Sequence, residues 1–287
     1  MSTIDLSQLP PPDVVEALDY DTLLQVIKAD FAQRAPDYAQ VLETPSDPVV
    51  KLLESAAYVA LMMRQRINDA AQSVLLAHAT SSNLDHLAAL LGVERQVVVA
   101  GQADTVPPQE PVMETDTDLR LRTQLALEGY TTAGSVGAYH YWALSAHSDI
   151  KDVQVQSLNP GQVTVTILTC EATTDEQILQ AVREQLEDKR PLTDHVIVQG
   201  ATLVDVTIAA QLVIQSGPDA DVVRQVAKQA LDDYLAQQCC LGQGLPLSGL
   251  YAALHQAGVA QVNLLQPPDD ITLAPHEALH CTAIELT

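Results

Sequence analysis

Between positions 48 and 78 apolar residues recur at alternating steps of four and three: Val49, Leu53, Ala56, Ala60, Met63, Ile67, Ala70, Val74 and Ala77. That spacing predicts one amphipathic helix with a bundle-type seam. Asp47 stands where an N-cap belongs and Pro48 where a missing N–H costs nothing, so the start is well marked. At 1.5 Å per residue, a helix over 48–77 would be about 45 Å long. A compact module of about 90 residues is only about 30 Å across, so the helix is expected to overrun its module. Val50, Leu52, Ala57, Val59 and Ala71 flank the seam, and Leu61, Met62, Leu75 and Leu76 add apolar cover on further sides. A face that wide asks for several partner helices rather than one. A core helix inside a single folded domain is the plainer alternative.

The rest of the chain divides by periodicity. Residues 9–12 read as a proline-bearing arm lying extended on another surface. Tyr20, Leu24, Ile27 and Phe31 repeat the four-three step until Pro36 ends a first helix, and 41–48 reads as a turn. Ser82 with Asp85 predicts a capping box for a short helix over 83–91, stopped by Gly92. Val97 to Val99 form a strand-like run, and 101–111, with three prolines and a glycine, is the best linker candidate. Helices are expected over 115–127 and 139–146. From Asp152 the period becomes two: Val153 and Val155, the turn Asn159-Pro160-Gly161, then Val163, Val165 and Ile167 predict a hairpin. A helix over 173–189, capped near Thr174, and a strand over 195–198 follow. A second pass has a strand over 202–214, helices over 220–236 and 248–256, and strands near 259–265 and 279–286. The expected fold class is α+β: a helical bundle region over 1–92, a linker over 93–113, and two small α+β modules over 114–200 and 201–287.

Composition narrows the function classes. The chain has 287 residues, 47% of them hydrophobic, with no stretch of about 18 uncharged apolar residues. The amino-terminal MSTIDLSQLPPPD carries acids and prolines where a signal peptide has a basic patch, so cytoplasmic synthesis is expected. With 14 Lys plus Arg against 37 Asp plus Glu, the net charge of −23 repels phosphate-rich partners and favours basic protein surfaces. Cys170, Cys239, Cys240 and Cys281 lack framework spacing and read as reduced thiols.

No motif carries catalysis. The serine-bearing stretches Gly134-Ser135-Val136-Gly137 and Pro246-Leu247-Ser248-Gly249 do not form the glycine-flanked pentapeptide of a nucleophile elbow, and no phosphate loop or dinucleotide fingerprint occurs. Glu114, Asp116 and Asp118 alternate like calcium ligands, but no loop glycine or closing glutamate follows, and acids suit a helix start. His276, His280 and Cys281, with Cys239 and Cys240, could hold zinc in principle, yet His280 and Cys281 would face opposite sides of a strand. No cofactor is expected. His78, His86, His140 and His147 read as surface or capping residues, and Asp232, Asp233, Asp269 and Asp270 as solvated faces and turns.

Several stretches together carry a family resemblance: LPPPDVVEALDYDTLL, SDPVVKLLESAAY with RQRIND, LAHATSSNLDHLAALLGV, DTDLRLRTQLAL, TAGSVGAYHYWALSAHSDIKDVQV, KRPLTDHV and LSGLYAALHQAGVAQV. In this order the chain resembles the baseplate assembly proteins of the J family, wedge components of contractile phage tails and R-type bacteriocins. The family has a glycine after Ala-Thr where this chain has Ser81, and 101–111 matches poorly. The resemblance implies a non-enzymatic protein. Two copies and one smaller tail protein would form a heterotrimeric wedge through a shared helical bundle, the seam from Val49 to Ala77 being the bundle strand. Six wedges would link into a ring around the hub, beside sheath-initiator-like proteins, in a virion or tail-like particle assembled in the host cytoplasm. A tail-associated hydrolase or metal enzyme is the alternative, and a monomeric peptide-binding adaptor a third.

Overall fold

A computed structural model of the protein describes all residues except 1–5, 7, 8, 11, 103, 105–107, 171–174, 216 and 218. The chain is α+β and separates into two compact units, Met1–Glu94 with Thr115–Arg120, and Arg95–Glu114 with Leu121–Thr287.

The first unit is helical. Helix α1 spans Tyr20–Arg34 and is capped by the Asp19 carboxylate, which accepts the Thr22 N–H at 2.7 Å and is held below its ordinary pKa first by the Thr22 side-chain hydroxyl and then by that N–H. A 3₁₀ helix, Pro36–Glu43, follows it and runs only into the first three residues of the stretch read as a turn, 41–48. Helix α2 spans Pro48–Ser73, with the Asp47 carboxylate accepting the Val49 N–H at 2.8 Å. Helix α3, Ser81–Ala89, begins two residues before the expected start, and Thr80 rather than Ser82 is its N-cap residue. Gly92, at φ +70, ends the segment while the Val93 N–H returns to the Ala88 carbonyl.

The chain just beyond the predicted arm, at Glu16, is fastened to α2. Asn68, buried on α2, accepts the Glu16 N–H at 3.1 Å and donates to the Glu16 carbonyl at 2.9 Å. One side-chain amide thus satisfies both backbone groups of a residue 52 positions earlier. Pro11, in the middle of that arm, lies outside the described residues.

Ser81 sits at φ +50, in the left-handed region where a Cβ is strained and glycine is not. Ser81→Gly keeps the backbone N–H that donates to Asp116 Oδ2 at 3.0 Å and is expected to stabilise α3 by about 1 kcal/mol. Amide exchange over α3 should slow about fivefold; unchanged exchange would mean that the strain is relieved elsewhere.

In the second unit, strands β1 (Val97–Val99) and β2 (Val112–Met113) form an antiparallel ribbon whose side chains are exposed, with an outer bridge between Gln102 and Gln109. Helix α4, Asp116–Leu125, belongs to the first unit up to Arg120 and to the second from Leu121, and a 3₁₀ turn, Ala126–Tyr130, follows it. Glu114, expected at a helix start, is instead buried against Arg122, whose Nε and Nη2 reach its two carboxylate oxygens at 2.7 and 2.6 Å. Helix α5 (Val136–Leu144) leads into β3 (Ile150–Asn159) and β4 (Gln162–Thr169), paired as the expected hairpin. Helix α6 is Glu176–Glu187, capped by Asp175; the predicted cap at Thr174 lies outside the described residues. It crosses over to β5 (His195–Gly200), parallel to β4. The core of this module packs Tyr139 and Trp142 of α5 and Ile178, Val182 and Leu186 of α6 on Val153, Val165 and Ile167.

The second sheet has the order β7-β6-β8. Strand β6 is Thr202–Ile214, α7 Ala220–Gln238, α8 Leu247–Leu254, β7 Val259–Gln266 and β8 Glu277–Leu286. Here β6 pairs antiparallel with β7 and parallel with β8. The inward residues Val206, Ile208, Ala210 and Leu212 meet Val223, Ala227 and Leu231 of α7 and Leu250 and Leu254 of α8. The two modules therefore share layers but not strand order. No helix among the described residues is long and apolar enough to cross a membrane.

Candidate functional site

Helix α2 is apolar on two sides, and its own chain covers one. Val50, Ala57 and Asn68 are fully buried, and Leu61 partly, placing the covered face one position away from the seam read in the sequence. Of the seam residues, Val49, Leu53 and Ala60 are half-buried, while Ala56, Met63, Ile67 and Ala70 are exposed. At 100° per residue, Leu52, Ala56, Val59, Met63, Ile67 and Ala70 form a stripe on the far side of the helix from Val50 and Ala57. Leu52 is 70% exposed, Met63 63% and Ile67 60%. Tyr58 and Met62 extend the open surface further round.

The helix is shorter than its pattern. It ends at Ser73, so Val74 and Ala77 lie in the following turn and not on the helix face. Beyond that end the Arg120 guanidinium donates to the carbonyls of Leu76 at 2.8 Å and Ala79 at 2.7 Å, holding the turn that carries Ala77. At 26 residues, α2 is still about 39 Å long.

Its neighbours within the unit cover little. Helix α1 and the 3₁₀ helix contain no fully buried residue. A 15-residue helix is marginal in water without a packed face, so this part of the chain has apolar surface on both helices awaiting cover. A cavity of about 210 Å³ opens between α1 and α2, walled by Leu18, Leu23, Val26 and Leu61, with Asp19 and Arg64 at its lining. Arg64 is already paired with Glu16 at 2.9 Å.

Electrostatics mark α2 out as well. In a chain of net charge −23, this helix carries Lys51, Arg64 and Arg66 against Glu54 and Asp69. Another acidic chain approaching along α2 meets less repulsion than elsewhere.

The other candidate residues are engaged within the fold. Asp116 accepts the Ser81 N–H, and Asp118 pairs with the Thr115 hydroxyl at 2.6 Å. His280 lies 2.7 Å from Asp205 across the open side of the second sheet, whereas Cys281 packs against that module's core. Cys239 points its thiol at the Leu279 carbonyl. Burial raises the Cys240 and Cys281 thiols above their ordinary pKa. No group of three His, Cys, Asp or Glu residues placed to hold a metal occurs among the described residues.

Three family models match this chain: the Baseplate J-like N-terminal domain over 45–102, the central domain over 131–200, and the C-terminal domain over 206–287. The chain belongs to the Baseplate J family. Its similarity to Baseplate protein J of Escherichia phage P2 is 42% identity over 291 residues, 98% of this chain and 96% of that protein. Among solved structures, a chain from the cryo-EM structure of the anti-feeding prophage (AFP) baseplate, 6-fold symmetrised, aligns with a TM-score of 0.44 and 16% identity. That alignment covers 62% of this chain, which spans less than half of the other chain, 44%.

Proposed function

We propose that this chain is a non-enzymatic structural component of the baseplate of a contractile tail or injection particle. Two copies and one smaller tail protein form a heterotrimeric wedge, and six wedges link through this protein into a ring around the hub, next to sheath-initiator-like proteins. The particle assembles in the host cytoplasm. The division into a helical region (1–92), a linker (93–113) and two α+β modules (114–200 and 201–287) then separates bundle formation from contacts between copies and wedges.

One observation carries this reading: a 26-residue helix leaves large apolar side chains on the side its own chain does not cover. Contiguous exposed apolar surface of this kind marks an interaction site. Covering Met63, Ile67 and Leu52 contributes roughly 1.5 to 3 kcal/mol each by area, before the costs of association. Close-packed helices require only shape and apolar contact, which alanines at positions 56, 60 and 70 favour by letting backbones approach.

Light scattering of the purified chain, alone and coexpressed with small tail proteins of its own particle, tests the reading. The coexpressed sample should run as a heterotrimer containing two copies of this chain. A chain that stays monomeric with every such partner contradicts the wedge, and turnover of peptidoglycan by the purified protein would favour the hydrolase alternative.

A further inference from the structure

The central module ends in a rigid loop whose tip residue touches nothing in its own chain. Leu192 is 100% exposed. Yet the loop around it is tied from several directions. Arg190 makes a two-pronged contact with Glu187, at 2.7 and 2.9 Å, and donates to the Asp194 carbonyl at 2.8 Å. The Tyr139 hydroxyl, rooted in the core, donates to Asp194 Oδ2 at 2.8 Å. Burial and the Asp194 carboxylate both raise the Tyr139 pKa, keeping that proton in place. The His195 N–H binds the Gly161 carbonyl at 2.7 Å. On the other side Gly134, at φ +68, lies so close to Pro191 that a Cβ there would sit 2.7 Å from its ring.

These ties bring three segments to one end of the module: the start of α5, the β3-β4 hairpin tip and the loop before β5. Each presents an apolar side chain to solvent, Val136, Leu158 and Leu192. A stiff loop loses little entropy on docking, so a protruding leucine on it is a preorganised anchor.

We propose that this end of the module docks against the same surface of a second copy of the chain, across a two-fold axis. Charge selects that occupant. Most of a surface with 37 acids and 14 bases repels its own copy. Here the rim is nearer balance, with Glu187, Asp188 and Asp194 against Lys189 and Arg190: Arg190 neutralises Glu187, and Asp188 and Lys189 stand exposed side by side with no ion pair to another described residue. Across a two-fold axis Lys189 of each copy faces Asp188 of the other, the self-complementarity that an isologous contact requires. Three apolar side chains fall short of the roughly 800 Å² per partner of a stand-alone interface. The contact therefore forms between copies already held together, and so rests on the baseplate reading above.

A photo-activated benzophenone amino acid at position 192, in particles purified from producing cells, tests this. Irradiation should yield a covalent dimer of the chain, joined to residues of the 131–136, 157–162 or 187–195 segments of the second copy. The same probe at Val222, exposed on α7, should give at least tenfold less. Baseplates that contain the chain but cross-link from 192 to a different protein, or to none, overturn the two-fold contact and leave the baseplate role standing. If the 192 variant does not assemble, the probe at Leu158 gives the same readout. Particles lacking the wild-type chain altogether overturn both.

Discussion

A chain carrying Met63→Asp and Ile67→Asp is expected to fold like the wild type and to be absent from assembled baseplates. Both side chains are mostly exposed in the chain by itself, so their replacement removes little internal packing. Far-UV circular dichroism and thermal melting should be nearly unchanged, as for surface substitutions generally. On the proposed wedge reading both positions come under neighbouring helices, where an unpaired carboxylate costs several kcal/mol. Even about 4 kcal/mol for the pair is roughly a thousandfold in affinity. Pull-down of the small partner and counts of complete particles should both collapse. Undiminished assembly would remove the stripe from the interface. Leu53, half-buried on the same helix, is a poorer choice, because its loss mixes folding with docking.

The second large effect is internal. Glu114 and Arg122 are 6% and 8% exposed at their side chains, and the Glu114 carboxylate also accepts the Gln96 N–H at 3.1 Å. Arg95 donates to the Glu114 carbonyl at 2.6 Å, tying the base of the β1-β2 ribbon to the same residue. Arg122→Met strands a buried carboxylate and should cost about 3 to 5 kcal/mol. Trp142 is the chain's one tryptophan and is buried in the same unit, so its fluorescence reports this loss in urea. Pairing the change with Glu114→Leu should recover most of the stability, since an apolar pair removes both charges together. A double variant as unstable as Arg122→Met would show that the Gln96 and Arg95 bonds, rather than the pair, carry the region.

Elements with local causes were legible in the amino-acid order. Asp47 caps the helix it precedes, Asn159-Pro160-Gly161 turns the hairpin, and β6 runs over the residues read as a strand, 202–214. Effects set by distant residues were not. The turn after α2 is held by Arg120, which lies 44 positions beyond the Leu76 carbonyl it takes. Glu114 looked like one of three alternating acids until Arg122, eight residues on, came against it. The two-residue strand β2 has no periodicity to detect.

The seam itself shows why pattern alone could not separate inside from outside. Helix α2 has apolar residues nearly all round, so several four-three lines can be drawn along it. The one its own chain buries contains Val50, Ala57 and a polar residue, Asn68, that no hydrophobic count would select. The signal that marks Asn68 is its reach to both backbone groups of Glu16, visible only once that segment is folded back. What remains uncovered is a second apolar line, and that remainder is the basis for the proposed function.

A cryo-EM reconstruction of the assembled baseplate, with side chains visible along α2, tests this most directly. The account predicts that Leu52, Val59, Met63 and Ile67 are covered by helices of a second copy and of a smaller protein. Finding those four side chains in solvent, or covered solely by their own chain, would contradict it.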